Sequence, residues 1–391
     1  MKRKITAAAA FALCVAMGVC ACSPSEKEDT FTGKEKEELA WQPNLDRISP
    51  EVYADISNLD LKPGTYISVI GKREGTAYWS EVQAGVEQAA EDINKHLGYK
   101  GEDKIKVLYN APADSENIDE QVNILDEELA RYPDVIAVAS VAEDASAVQF
   151  DLAAENGIAV VAFDSRNNYQ GIQCTCMTDN VAAAKEGARK MSEAIEEKGE
   201  ILLIAQDSVS GTAKERTKAV TEEITANYPN VKVVETIYMD QFDDLKMQAA
   251  ADELGVTKEQ LAEWTVESSG QTPADEGEEA MSEEVRTKLE DIRAVADGMT
   301  DADVVARYME KYPNLKGCFA VNADAVLLAM DAFETAENEE DIVLMGFDAG
   351  KEQIAALKNG TIDGLIVQNP FGMGYATVVA AARAALEIGN E

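Results

Sequence analysis

Histidine is almost missing from this chain: His96 is the single one among 391 residues. Most His-dependent acid–base catalysis and His-built metal sites are thereby removed from consideration. Positive charge is scarce as well. Lys and Arg number 35 against 73 Asp and Glu, a formal net charge of −38 at pH 7. A chain of that sign repels the phosphate backbone, which argues against a nucleic-acid role. Cysteine is thin, with six residues in all. What is present is ordinary globular material: 46% hydrophobic and 28% charged residues, too apolar for a chain disordered throughout. The length suits two domains with cores of their own. Any enzyme built from this sequence must rest on carboxylates, hydroxyls or thiols.

The N-terminus reads as an address. Lys2, Arg3 and Lys4 precede an apolar run over residues 5–19, then Cys20-Ala21-Cys22 and the polar Ser23-Pro24-Ser25-Glu26-Lys27. A basic head, a run this short and a small residue before the cut describe a secretory signal over residues 1–21; a spanning helix needs about 20 apolar residues. Val19-Cys20-Ala21-Cys22 is similar to a bacterial lipobox, whose last Cys is acylated and becomes the mature N-terminus. Cys20 fits that place less well because Val19 is not small. The expectation is a lipid anchor on Cys22 at the outer face of a membrane, with a plain secreted protein cut near Ala21 as the alternative. Residues 22–61 are polar and acidic and read as a tether.

Once the signal is gone and Cys22 carries lipid, only Cys174, Cys176 and Cys318 remain. Cys174 and Cys176 stand two apart in an apparent strand, so they share a face and are poorly placed to bridge each other. Three thiols are too few for a thiolate metal site, and no cofactor or metal is expected. Buried, inert thiols are the expectation.

A core pattern begins after residue 61. Apolar strand-like runs occur at 66–70, 105–109, 135–139 and 159–163, separated by helix-spaced apolar residues: Val82, Val86, Ala89, Ala90 and Ile93, then Val122, Leu125 and Leu129, then Val148, Leu152 and Ala153. The rhythm restarts after Thr178, with strands at 201–204, 231–238, 317–321, 342–346 and 364–367 and helices at 181–195, 212–226, 325–335, 353–357 and up to Ile388. Alternating strands and helices predict right-handed βαβ units and parallel sheets covered on both faces. The fold class is α/β: two doubly wound parallel-sheet lobes joined by a hinge, the first from residues 62–178 plus 369–391, the second from 179–368.

In such sheets ligands bind beyond the carboxyl ends of the strands. The first such loop is Lys72-Arg-Glu-Gly-Thr76-Ala-Tyr78-Trp79, with two adjacent aromatics at a helix entrance. Asp164, Asn322, Asp348 and Gln368 each follow a strand. Side chains that hydrogen-bond on two sides, set beside rings, suit a sugar, whose hydroxyls both donate and accept and whose C–H faces pack on aromatics. A strand-end Asp or Asn alone would equally cap the next helix; four of them with paired aromatics point to a ligand.

At these residues the chain resembles the type I periplasmic sugar-binding proteins, the ribose- and galactose-binding group of ABC transporter receptors. The resemblance covers residues 65–386. It rests on Tyr78-Trp79-Ser-Glu-Val-Gln-Ala-Gly85, on Gly157-Ile-Ala-Val-Val-Ala-Phe-Asp164-Ser165, and on Thr178-Asp-Asn180. It continues through Gly211-Thr-Ala-Lys-Glu-Arg216, Phe319-Ala-Val-Asn322, Gly346-Phe-Asp348 and Val367-Gln368-Asn-Pro370, all in family order. It implies that Tyr78, Trp79 and Phe242 sandwich a sugar ring and that Asp164, Asn322, Asp348 and Gln368 bond its hydroxyls, with Thr76 on the first loop. Ser165 stands where the family often has Arg, Lys214 aligns best with a loop Arg, and Arg216 matches a second family Arg. Lys and Ser cannot reproduce a planar guanidinium fork, so the hydroxyl pattern accepted should differ and ribose itself is doubtful.

The resemblance implies an extracytoplasmic lipoprotein, monomeric and without catalysis, that closes by hinge motion near Thr178 and Gln368-Asn369 on a monosaccharide and delivers it to an ABC transporter permease. A nucleoside or autoinducer receptor of the same architecture is the alternative, since aromatic pairs also stack bases. A glycosidase using Asp164 and Asp348 would need two carboxyls about 5–10 Å apart. Two departures from the family stand out. An acidic insertion at about 250–300 holds 14 acidic and 4 basic residues between 252 and 297, with Val285, Leu289, Ile292, Ala296 and Met299 at helical spacing, and reads as an exposed helical elaboration. The chain also stops at Glu391, one interlobe crossing short of the family pattern, which leaves a naturally short ending and a truncated one both open.

Overall fold

A computed structural model describes residues 40–113, 116–269, 282–336 and 342–390. The expected signal, Cys22 and the tether up to residue 39 lie outside the described residues, as does most of the polar stretch 268–279. In chain order the first lobe contains α1 (Gln42–Leu45), β1 (Tyr66–Ile70), α2 (Ala77–Leu97), β2 (Lys106–Asn110), α3 (Ile118–Leu129), β3 (Val135–Val138), α4 (Ala147–Glu155), β4 (Ala159–Phe163) and β5 (Ile172–Cys176). The second contains α5 (Asn180–Ala194), β6 (Gly199–Ala205), α6 (Gly211–Asn227), β7 (Val231–Tyr238), α7 (Phe242–Glu253), α8 (Lys258–Ser269), α9 (Glu283–Asp297), α10 (Asp301–Lys311), β8 (Leu315–Ala320), α11 (Ala323–Ala336), β9 (Val343–Phe347), α12 (Lys351–Asn359) and β10 (Gly364–Ile366). Helix α13 (Pro370–Ala385) then returns to the first lobe.

Each lobe holds a five-stranded parallel sheet, ordered β2-β1-β3-β4-β5 in the first and β10-β9-β8-β6-β7 in the second. The strand order reverses direction between β1 and β3 and again between β6 and β8. Crevices open at such switch points, beyond the carboxyl ends of the strands. All four residues of β3 are fully buried, as a central parallel strand covered on both faces requires.

Helix α2 shows how local sequence sets the frame. Thr76 caps its start, its hydroxyl oxygen accepting from Trp79 N at 3.2 Å, and left-handed Gly98 ends it. Its stripe of Val82, Val86, Ala89 and Ile93 is buried, each side chain contributing about 1.5–3 kcal/mol by leaving water, Ala89 less. Helices α2 and α13 cross at backbone contact. A Cβ on Gly85 would lie 2.0 Å from Phe371 O, and one on Gly374 would lie 2.0 Å from Val82 O, so glycine is required on both sides.

Residues 41–61, expected within the polar tether, pack onto this lobe. Leu45, Leu59 and Leu61 are buried in the core shared by α2 and α13, with Trp41, Ile48, Tyr53 and Ile56 against it. Their irregular spacing shows no helix or strand period, which hid them in the sequence. The acidic elaboration has a small core of its own: Ala250, Ala251, Val256, Leu261, Leu289, Ile292 and Ala296, flanked by Val285 and Met299. Helix α10, which the apolar spacing did not suggest, is set by a reciprocal cap between Thr300 and Asp303.

Candidate functional site

On the first lobe, the turn after β1 and the start of α2 aim Thr76 and Tyr78 into the cleft. The Tyr78 hydroxyl donates to Asp164 Oδ1 at 2.7 Å. Asp164 follows β4 with φ of 56°, a left-handed conformation that costs a non-glycine residue energy and is held only by its surroundings. Asp164 N donates to Cys176 O at 2.9 Å, and the Thr212 hydroxyl from the second lobe donates to Asp164 O at 3.1 Å. Beneath it lies the Lys72 ammonium, 3.5 Å from Asp164 Oδ2 and 3.9 Å from Glu116 Oε2, and only 2% exposed. Burial disfavours that charge, but Glu116 and Asp164 outweigh it and hold the lysine above its ordinary range. Burial pushes the Glu116 carboxyl up to about 7 although Lys72 opposes the shift. The Tyr78 phenol is pushed well up by burial and then by the charges of Asp164 and Asp348.

On the second lobe, α6 carries the buried Arg216. Its Nε donates to Asn180 Oδ1 at 2.9 Å, an Nη donates to Val321 O at 2.6 Å, and the guanidinium lies 4.0 Å from the centre of the Phe347 ring. Asn322 caps α11, its Oδ1 accepting from Ala325 N at 2.9 Å. Asp348, left-handed with φ of 74°, accepts from Gln368 Nε2 at 2.6 Å and from Ala323 N at 3.0 Å. Burial raises its carboxyl against the opposing pull of Arg216 and Gln368. Gln368 Oε1 accepts from the Thr178 hydroxyl at 2.6 Å, joining the two strands of chain that pass between lobes. Capping and cleft-lining thus coexist: Asn322 and Asp348 satisfy the start of α11, whereas Asp164 caps no helix.

These groups enclose a cavity of about 730 Å³ walled by both lobes. Ion pairs join the two lobes: Arg73 to Asp324 at 2.9 Å, both lining the cavity, and, outside its lining, Lys214 to Glu143 at 3.2 Å and Arg166 to Glu215 at 2.5 Å. Of the residues expected at the site, Thr76, Tyr78, Trp79, Asp164, Arg216, Asn322, Asp348 and Gln368 line this cavity.

Four expected positions need correction. Phe242 is buried in the second lobe's core, among residues such as Ile237 and Val305, and does not line the cavity. Trp79 reaches the cavity but is 5% exposed, packed edge-on at 5.3 Å from Tyr78 and 6.3 Å from Phe163, so Tyr78, Trp79 and Phe242 do not form a sandwich. Lys214 does not line the cavity and is paired with Glu143, and Ser165 is fully buried outside the lining with its hydroxyl unpartnered. Beyond the expected residues, Lys72, Glu116, Gln206 and Thr212 also line the cavity. Gln206 follows β6 and Lys72 follows β1, so the strand-end rule applied evenly finds both; Gln206 Oε1 is a buried acceptor without a partner in the protein.

The chain matches the family described as periplasmic binding protein domain over residues 67–261 and 265–390. Among curated proteins none matches significantly. Solved structures of similar fold include a periplasmic component of an ABC-type sugar transport system from Hahella chejuensis (19% identity, TM-score 0.61, covering 83% of this chain and 95% of that one). A carbohydrate transporter solute-binding protein from Agrobacterium radiobacter, in complex with D-arabinose, is 20% identical with a TM-score of 0.62 over 84% and 90% of the chains. One from Agrobacterium vitis with bound D-fucose is 22% identical with a TM-score of 0.61 over 83% and 91%. Two parallel five-stranded lobes, a polar cavity between them and a match along most of the sequence lead to one assignment: the chain belongs to the periplasmic binding protein domain family.

Proposed function

We propose that this protein is an extracytoplasmic solute-binding protein that captures a monosaccharide between its lobes and hands it to an ABC transporter permease, anchored through lipid on Cys22. The observation that carries the reading is the cavity itself. Acceptors and donors from both lobes, Asp164, Arg216, Asn322, Asp348 and Gln368, line one cavity with Tyr78, the mix of directional polar groups and aromatic surface that a polyhydroxylated ring requires. The arabinose and fucose complexes of similarly folded proteins support a sugar of this size. Among the described residues no helix is long and apolar enough to cross a membrane, which is compatible with an anchor supplied by lipid.

In this reading Asp164 and Asp348 act as fixed acceptors, because each carboxylate is already bonded within the protein and faces the ligand with its remaining lone pairs. Ligand favours the closed state only through contacts made with both lobes at once. Titration calorimetry against pentoses, hexoses, nucleosides and amino acids tests the proposal. Micromolar or tighter binding of a sugar is the expected result; heat from nucleosides or amino acids with none from any sugar overturns it. Product analysis after incubation with glycosides completes the test, since turnover would identify an enzyme.

A further inference from the structure

Cys174 and Cys176 take no part in the cavity. Both lie on β5, the edge strand of the first sheet, on either side of exposed Thr175, and both are half-buried against the core built on α2 and α13. Neither is bonded to another cysteine. This corrects the expectation of buried thiols, which holds only for Cys318. Pairing with β4 is irregular at this place: Val160 faces Ile172 but Ala162 faces Thr175, a bulge at Gln173 and Cys174. A bulge bends its strand and leaves the ladder locally unmade, so the backbone here can yield.

Residues two apart on an extended strand have Cα atoms about 6.6 Å apart, just inside the roughly 6.8 Å limit of disulfides, but the Cβ atoms must come to about 4.5 Å or less. A bridge therefore closes only if β5 contracts. Cys176 O is the acceptor that holds Asp164 N, and Thr178, two residues on, bonds Gln368 at the crossing between lobes. Contraction of β5 reaches the cleft through both bonds.

We propose that Cys174 and Cys176 form an oxidation site whose closure to an intrachain disulfide loosens Asp164 and so couples thiol redox state to the ligand cleft. The oxidant is a small-molecule or protein disulfide. The Cys174 thiolate attacks one of its sulfurs and expels a thiolate, leaving a mixed disulfide. Cys176 then loses its proton and displaces the second thiolate, so that two S–H bonds become one S–S bond and the oxidant is reduced by two electrons to two thiols. The thiols are unequal in the required sense. The interaction between the two thiols draws Cys174 below its ordinary range, while that interaction and burial hold Cys176 well above its own.

The test uses the purified protein and oxidised glutathione, followed by alkylation in denaturant and peptide mass analysis. Expected is a peptide containing both cysteines, two hydrogens lighter and unalkylated, and about tenfold faster hydrogen exchange at the Asp164 amide, reversed by dithiothreitol. In Cys174→Ser and Cys176→Ser, glutathione should leave that exchange unchanged. Recovery of both cysteines alkylated or each carrying glutathione overturns the proposal, as does a closed bridge with Asp164 exchange equal to that of the reduced protein.

Discussion

Asp164 is the residue on which most of the site depends: left-handed, buried, bonded by Tyr78 and facing Lys72. Tyr78→Phe removes one charge-assisted donor and should cost about 1.5–3 kcal/mol of stability, with ligand affinity falling at least tenfold in the same titration that identifies the sugar. Lys72→Met leaves Glu116 and Asp164 without their cation and should cost about 3–5 kcal/mol in denaturant unfolding. Glu116 gives a pH signature. Its carboxyl, ordinarily near 4.5, titrates near 7 in the fold, so the folded chain holds more protons than the unfolded one between those values. Stability from this group is therefore greatest at the acid end and falls as pH rises through that window. With the carboxyl 28% exposed, the loss between pH 5 and 7 should be on the order of 1–2 kcal/mol, and Glu116→Gln should abolish it in midpoints measured at the two pH values. At this scale the sequence was legible where a polar residue directly follows a strand. Glu116, well beyond β2, escaped because charged loop residues look alike whether solvated or buried. Phe242 misled because a ring at a helix start carries no mark of which way it turns.

Among the elements, the crossing of α2 and α13 is the tightest. Gly85→Ala or Gly374→Ala places a methyl carbon 2.0 Å from a backbone oxygen, far inside van der Waals contact, and either should cost about 1–3 kcal/mol or more through forced separation of the helices, read as a lower thermal midpoint. The alternation of strands and helices, set by apolar runs and helical stripes, announced both sheets and most of their boundaries. Segment 41–61 was not legible because its anchors, from Trp41 to Leu61, follow the contour of a finished lobe and no internal period. Helix α9 was legible for the opposite reason: Leu289, Ile292 and Ala296 keep a strict helical spacing, and those three are buried.

For the molecule as a whole, the sequence told of two lobes but nothing of how near they stand, since each contact across the cleft joins residues far apart in the chain. In the structure Arg73, Lys214 and Arg166 are each paired across the cleft. Partly exposed pairs contribute about 0.2–1 kcal/mol each and are screened by salt. Replacing both Arg166 and Lys214 with Ala should therefore shift the population toward open forms, weakening the ligand severalfold and raising the radius of gyration measured by X-ray scattering, with the effect fading as salt is added. One further consequence comes from α1. Asn369 Nδ2, at a crossing between the lobes, donates to Asn44 O at 2.8 Å, so α1, which covers the first lobe, is tied directly to the stretch of chain that returns from the second.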